Sequence, residues 1–212
     1  MLADAKDAER GDGVIIIIDY GMGNLRSVQK AFEARGARPK VTSDPAEVEK
    51  ADKIILPGVG AFGQAMQELK KKKLLGALKD KVQSGTPYLG LCLGMQLLFS
   101  HSEEGNVKGL GILPGQVKRF RGNLKVPHMG WNTLSVRKDR CPLMQGVRGS
   151  DYFYFVHSFY AVPEEKEDVL TSTGYGADFC SAVWRGNIFA TQFHPEKSQS
   201  AGLGIVENFI AC

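Results

Sequence analysis

Six residues, Gly90-Leu91-Cys92-Leu93-Gly94-Met95, join an apolar run to an apolar helix pattern and leave the chain few ways to fold. The run before them, Thr86-Pro87-Tyr88-Leu89-Gly90-Leu91, reads as a short buried strand entered through a turn. Leu93, Gln96, Leu97 and Leu98 recur at helical spacing and predict a helix over 93–99. A strand passing directly into a helix through a turn with glycine two residues either side of its centre implies close backbone approach, where a β-carbon would collide. The residue at that centre is a cysteine.

The rest of the chain fits a strand–helix alternation. Residues 14–18 read as a strand, and a helix from near Asn24 carries Leu25, Val28 and Phe32 on one face. A strand near Val41, a helix opened by Asp44-Pro45, a strand over 53–56 and helices over 62–72 and 74–83 lead to the cysteine strand. Continuous apolar strands separated by amphipathic helices imply an α/β fold, a mostly parallel central sheet covered by helices on both faces. Beyond Gly109 the pattern changes. Segments 115–121, 131–137, 152–159, 169–173, 180–184 and 188–192 are short, β-rich and joined by turns. They predict an antiparallel β-rich C-terminal half that extends and flanks the parallel sheet, closed by a helix over 200–210.

With 212 residues and no linker or repeat, the chain reads as one domain over 14–212. Residues 1–13 read as a disordered N-terminal extension. They lack the apolar stretch of a secretory signal, and Asp4, Asp7, Glu9 and Asp12 argue against an acid-poor transit peptide. The longest strongly apolar run, residues 14–18, is too short to span a membrane. A net charge of +4 is too mild to imply nucleic acid, and the basic run Lys70-Lys71-Lys72-Lys73 suits a helix end. Four scattered cysteines, with neither a C-x-x-C pair nor zinc spacing, indicate a reducing compartment, the cytoplasm, and no metal.

The glycine-flanked cysteine has the form of a nucleophile elbow with sulfur in place of oxygen. An ordinary thiol, pKa about 8.5, is only ~3% thiolate at pH 7. A helix amino terminus and a nearby imidazolium would favour the anion. The imidazole is supplied by His194-Pro195-Glu196, at the end of the strand Ile188-Phe189-Ala190-Thr191-Gln192-Phe193. Proline keeps His194 out of the helical region. An extended stretch would set His194 and Glu196 on one side, the carboxylate orienting the imidazole. Alone, His-Pro-Glu is a loop with a surface acid; beside Cys92 it completes a nucleophile–base–orienter set. Pro57-Gly58-Val59-Gly60, at another strand end, can turn backbone N–H groups toward a ligand and, with the Leu93 N–H, form an oxyanion hole. Each such donor is worth about 3–4 kcal/mol. Gly21-Met22-Gly23 after the first strand hints at a nucleotide loop, but Arg26 stands where the dinucleotide fingerprint needs a small residue.

Pro57-Gly58-Val59-Gly60, Gly90-Leu91-Cys92-Leu93-Gly94-Met95-Gln96 and Phe193-His194-Pro195-Glu196-Lys197-Ser198 resemble, in order and spacing, the class I glutamine amidotransferases. Asp19-Tyr20-Gly21-Met22-Gly23-Asn24, Ser102-Glu103-Glu104-Gly105, Pro127-His128-Met129-Gly130-Trp131-Asn132 and Tyr154-Phe155-Val156-His157-Ser158-Phe159-Tyr160 are similar to its glutaminase subunits of histidine biosynthesis. A glutaminase subunit of another class I pathway is the alternative. The resemblance implies that Cys92, His194 and Glu196 hydrolyse glutamine, with Gly58, Val59 and Leu93 holding the oxyanion. It implies that Gly60, Gln96, Ser158 and Phe159 bind the substrate, and that no cofactor takes part. Ammonia would pass to a (β/α)8-barrel synthase subunit in a heterodimer, docked near Asn24, Trp131, Tyr154, His157 and Lys197. The isolated chain would be a poor glutaminase, its Gly58–Val59 peptide having to turn to complete the oxyanion hole.

Overall fold

The computed structural model describes residues 13–212. All of the expected N-terminal extension except Gly13 therefore lies outside the described residues. The first strand, β1 (Ile15–Ile18), is four isoleucines, all buried. Their alternation divides the interior in two. Ile16 and Ile18 enter one apolar cluster, Ile15 and Ile17 the other, so this strand is covered on both faces.

Helix α1 (Leu25–Glu33) buries Val28 and Phe32 against the second cluster. After β2 (Lys40–Thr42), α2 (Pro45–Val48) opens as its sequence suggests, with proline in the first turn and the Asp44 carboxylate accepting from Ala46 N–H at 3.0 Å. Strand β3 (Lys53–Gly58) runs further than expected and takes in Pro57 and Gly58. Helices α3 (Phe62–Lys71) and α4 (Leu74–Gln83) cover the first cluster, and Lys70 and Lys71 sit in the last turn of α3, where the helix dipole favours cations. Then come β4 (Tyr88–Cys92) and α5 (Leu93–Gln96).

Here the expectation of a helix over 93–99 is corrected: α5 is one turn. The chain re-enters the sheet as β5 (Phe99–Ser102) because the Leu97 and Leu98 carbonyls are taken by the N–H groups of Leu110, Ile112 and Leu113. Cross-chain partners outcompete the helix ladder, a tertiary effect that helical spacing does not encode.

Strands β6 (Val107–Lys108), β7 (Leu113–Arg119), β8 (His128–Thr133), β9 (Ser135–Val136), β10 (Tyr152–His157), β11 (Phe159–Pro163), β12 (Val169–Tyr175), β13 (Ala177–Arg185) and β14 (Ile188–Thr191) follow, closed by α6 (Gln199–Ala211). The main sheet runs β2-β1-β3-β4-β14-β13-β11-β7-β5-β6. It is parallel from β2 to β14 and antiparallel from β14 through β13 and β11 to β7. The expected single segment over 152–159 divides at Ser158 into β10 and β11. β10 leaves the sheet to pair with β8 as a two-stranded ribbon, with Trp131 opposite Tyr154 and His128 opposite His157. The ribbon's inner face, Phe153 and Phe155, packs in the same cluster as α6.

Candidate active site

The parallel register assembles the site at the carboxyl ends of three strands. β4 lies between β3 and β14, Gly58 is the register partner of Cys92, and Thr191 that of Leu91. Such strand ends are where α/β sheets present their chemistry. Cys92 has φ 53° and ψ −105°, a conformation costly for a residue with a β-carbon. The turn is held from beneath. A Cβ on Gly94 would lie 1.8 Å from the Leu56 carbonyl oxygen, so only glycine lets the elbow rest on β3.

His194 arrives from β14. Its N–H donates to the Tyr154 carbonyl at 2.9 Å, and its own carbonyl accepts from Ser198 Oγ. The expected extended stretch is corrected: Pro195–Lys197 form a single 3-10 turn, favoured by proline at its start. The turn still brings Glu196 back on the ring, with Oε1 2.8 Å from His194 Nδ1, and both side chains almost fully buried. The carboxylate holds the proton on Nδ1 and leaves Nε2 without a hydrogen-bond partner among the described residues. Burial works against the imidazolium; the negative charge of Cys92 and then the Glu196 carboxylate outweigh it and raise His194 to about 10. The imidazole is therefore disposed to hold its second proton on Nε2, the nitrogen left free of Glu196.

Gln192, which the sequence reading passed over, joins them. It is fully buried, and its Nε2 donates to Cys92 Sγ at 3.6 Å. Its Oε1 accepts from Gln96 Nε2 at 2.9 Å, and Gln96 Nε2 also donates to the Phe159 carbonyl at 2.9 Å. Gln96 is thus fixed inside the site with Oε1 left as an acceptor. A signal for Gln192 was present: a glutamine inside an apolar strand needs partners, because buried polar groups are hydrogen-bonded.

The remaining expected residues separate. Val59 and Gly60 are exposed at the end of β3, Leu93 is buried in the elbow, and Ser158 and Phe159 are half-buried where β10 gives way to β11. Beside Phe159 opens a cleft of about 700 Å3 whose lining includes Glu103, Glu104, Arg119 and Arg121, with Glu103 paired to Arg121 at 3.2 Å. The Glu104 carboxylate accepts from the Phe62 N–H at 2.9 Å. On the ribbon's outer face Trp131 is 46% exposed and meets Tyr154 edge to face at 5.8 Å, with Lys197 Nζ 5.9 Å above the Tyr154 ring. Asn24 is exposed, and its side chain makes no cap to α1.

His157 is a correction. Expected near a partner, it is buried on the ribbon's inner side, and burial foremost lowers it to about 3, so it is neutral. Its Nδ1–H donates to the Phe159 carbonyl at 2.8 Å, which leaves Nε2 to accept from His128 Nδ1–H at 3.0 Å. Strand alternation, not composition, set its face: positions 153, 155 and 157 point inward and 152, 154 and 156 outward.

Among the described residues no cluster of three or more His, Cys, Asp or Glu could hold a metal ion, and no helix is long and apolar enough to cross a membrane. A strained cysteine on a strand-to-helix elbow, a carboxylate-oriented imidazole and glycine-rich backbone at the next strand end suit acyl transfer from an amide.

The family model for class I glutamine amidotransferases matches residues 16–212, and the chain belongs to that family. Among individual relatives, imidazole glycerol phosphate synthase subunit HisH of Syntrophotalea carbinolica is 53% identical over 204 residues, 92% of this chain and 98% of that protein. The protein of the same description from Moorella thermoacetica is 53% identical over 196 residues, 92% and 93% of the two chains. Among solved structures, PurLQS from Thermotoga maritima superposes with a TM-score of 0.74 at 19% identity, covering 94% of this chain and 97% of that one. That likeness is one of fold: a mostly parallel sheet with helices and added antiparallel strands.

Proposed function

We propose that the chain is the glutaminase subunit of an imidazole glycerol phosphate synthase. The observation that carries the reading is the buried Cys92–His194–Glu196 constellation, in a chain half identical to subunits of that description over most of its length. Glutamine places its side-chain amide over Cys92. The thiolate attacks the amide carbon, and the N–H groups about Gly58, Val59 and Leu93 hold the oxyanion. His194 Nε2 protonates the departing nitrogen, so ammonia leaves and a thioester remains. Water, deprotonated by the now neutral His194, attacks the thioester, and glutamate leaves as the thiolate re-forms. Glu196 holds the ring through both proton transfers. Gln96, Gly60, Ser158 and Phe159 bind the amino-acid portion.

Ammonia released into water would be protonated and lost. A (β/α)8-barrel synthase subunit receives it instead, docked on the exposed Trp131, Tyr154 and Lys197 face and on Asn24. The test is ammonia release from glutamine by the chain alone, and with such a barrel subunit and its ribulosyl ligand. Strong stimulation that disappears in Cys92→Ala is the expected result. Full turnover without any partner would refute the coupled reading, and silence under every condition would refute the glutaminase.

A further inference from the structure

Two buried tyrosines lie under the elbow, and only one has an acceptor. Tyr88 donates to the Gly94 carbonyl at 2.8 Å. The Tyr20 hydroxyl, on a ring with no exposed surface, has no hydrogen-bond partner among the described residues. An unmade buried hydroxyl costs about 1–3 kcal/mol, so it calls for an explanation. Its place is specific. A Cβ on Gly58 would come within 2.3 Å of Tyr20 Oη, 2.9 Å of Leu93 Cβ and 3.3 Å of Gly94 N. The phenol thus occupies the space that glycine leaves between the end of β3 and the elbow.

The loop that carries Tyr20 is held at several points. Asp19 N–H donates to the Thr42 carbonyl at 2.8 Å, the Asp19 carboxylate accepts from Gly21 N–H at 2.8 Å, and Lys72 Nζ donates to the Asp19 carbonyl at 2.9 Å. Burial first, then the charge of Cys92, holds the phenol far above its ordinary range, so it keeps its proton and is a donor at any working pH.

Across one peptide the N–H and C=O point in opposite directions. When the Val59 N–H faces the sulfur, the Gly58 carbonyl faces away from it, and the Tyr20 hydroxyl, packed against Gly58, is the free donor beside that peptide. Apart from two atoms of the His194–Glu196 pair, Tyr20 Oη is the only buried side-chain polar atom without a partner among the described residues. We propose that Tyr20 is a positioning residue for the oxyanion hole, donating to the Gly58 carbonyl when the Gly58–Val59 peptide presents the Val59 N–H to Cys92. Glycine at 58 is then required twice, to admit the phenol and to let the peptide turn. The inference rests on the glutaminase reading and on Val59 as an oxyanion donor.

Tyr20→Phe removes the oxygen alone, and the chain is assayed with its barrel partner and ribulosyl ligand. The expected result is a fall in kcat of about tenfold, with KM for glutamine within twofold of wild type. Alkylation of Cys92 by iodoacetamide, which uses the thiolate but no oxyanion hole, keeps its wild-type rate. Thermal stability is equal or higher, because an unpartnered buried hydroxyl has gone. A kcat within twofold of wild type overturns the proposal, and so does a fall in kcat accompanied by changed KM and alkylation, which marks general disorder of the site. A wild-type pair that releases no ammonia would remove the glutaminase reading itself; normal Tyr20→Phe turnover beside an active wild type removes only the role of Tyr20.

Discussion

Cys92 is the first of the groups that raise His194, and that can be measured at the residue scale. With Cys92 removed and burial unchanged, the imidazole of Cys92→Ala should titrate well below the value of about 10 that it has beside the sulfur. Glu196→Gln also lowers it, by less, and both shifts are read from the His194 ring resonances in an NMR titration. The sign carries over to stability. The folded value lies above the ordinary 6.5, so the charged imidazole contributes stability that is fully present below pH 6.5 and is lost as pH rises through about 10. The urea midpoint of wild type should therefore lose ground to that of His194→Asn between those limits. Gln192 supplies a second prediction. Gln192→Met keeps the volume but takes the donor from Cys92 Sγ and the acceptor from Gln96, and kcat for glutamine should fall by about tenfold or more. The members of the proposed triad were legible as letters because they sit in short local motifs. Gln192 was legible only as a polar residue in an apolar strand, and Tyr20 not at all, since what marks them is burial and the presence or lack of a partner from a distant strand or loop.

At the scale of elements the legible part was whatever follows from period and punctuation. α4 begins and ends where its apolar spacing places it, Asp44-Pro45 opens α2, and the isoleucines of β1 serve both faces of the sheet. The misjudged parts are those where a non-local partner decides. α5 stops after one turn because residues 110–113 claim its next carbonyls, and the strand pattern over 152–159 conceals a change of sheet at Ser158. The elbow shows how tightly one element can depend on another. Gly94→Ala would press a methyl group to 1.8 Å from the Leu56 carbonyl oxygen, an atom of the sheet backbone that cannot swing aside. Overpacking of this kind costs about 1–3 kcal/mol, and here the upper end is expected. The measurement is the urea midpoint, paired with iodoacetamide reactivity of Cys92, and both should fall. A variant with wild-type stability and reactivity would show that the elbow does not lean on β3.

Across the whole molecule one path joins the exposed ribbon to the sulfur. Trp131 lies on the ribbon's outer face; His128 and His157 lie on its inner face and lead through the Phe159 carbonyl to Gln96, Gln192 and Cys92. Every donor on this path is determined, because the Phe159 carbonyl can only accept and so fixes the tautomers of both histidines. A partner seated on Trp131 would therefore bear on a ribbon whose other face is hydrogen-bonded toward Gln96 and Gln192. This gives the coupled reading a test that separates docking from chemistry. Trp131→Ala removes a half-exposed side chain and should leave the fold and the alkylation rate of Cys92 intact. An aromatic anchor of an interface is worth about 2 kcal/mol or more, so the dissociation constant for the proposed barrel subunit should rise roughly thirtyfold. Calorimetric titration measures that loss, and stimulated turnover at saturating partner shows whether docking was all that Trp131 supplied. Recovery of full kcat at saturation assigns it to affinity alone. A kcat that stays low when every chain is bound means that the seated indole also positions the ribbon, and through it Gln192 on the thiol. Unchanged affinity would move the docking face elsewhere on the molecule.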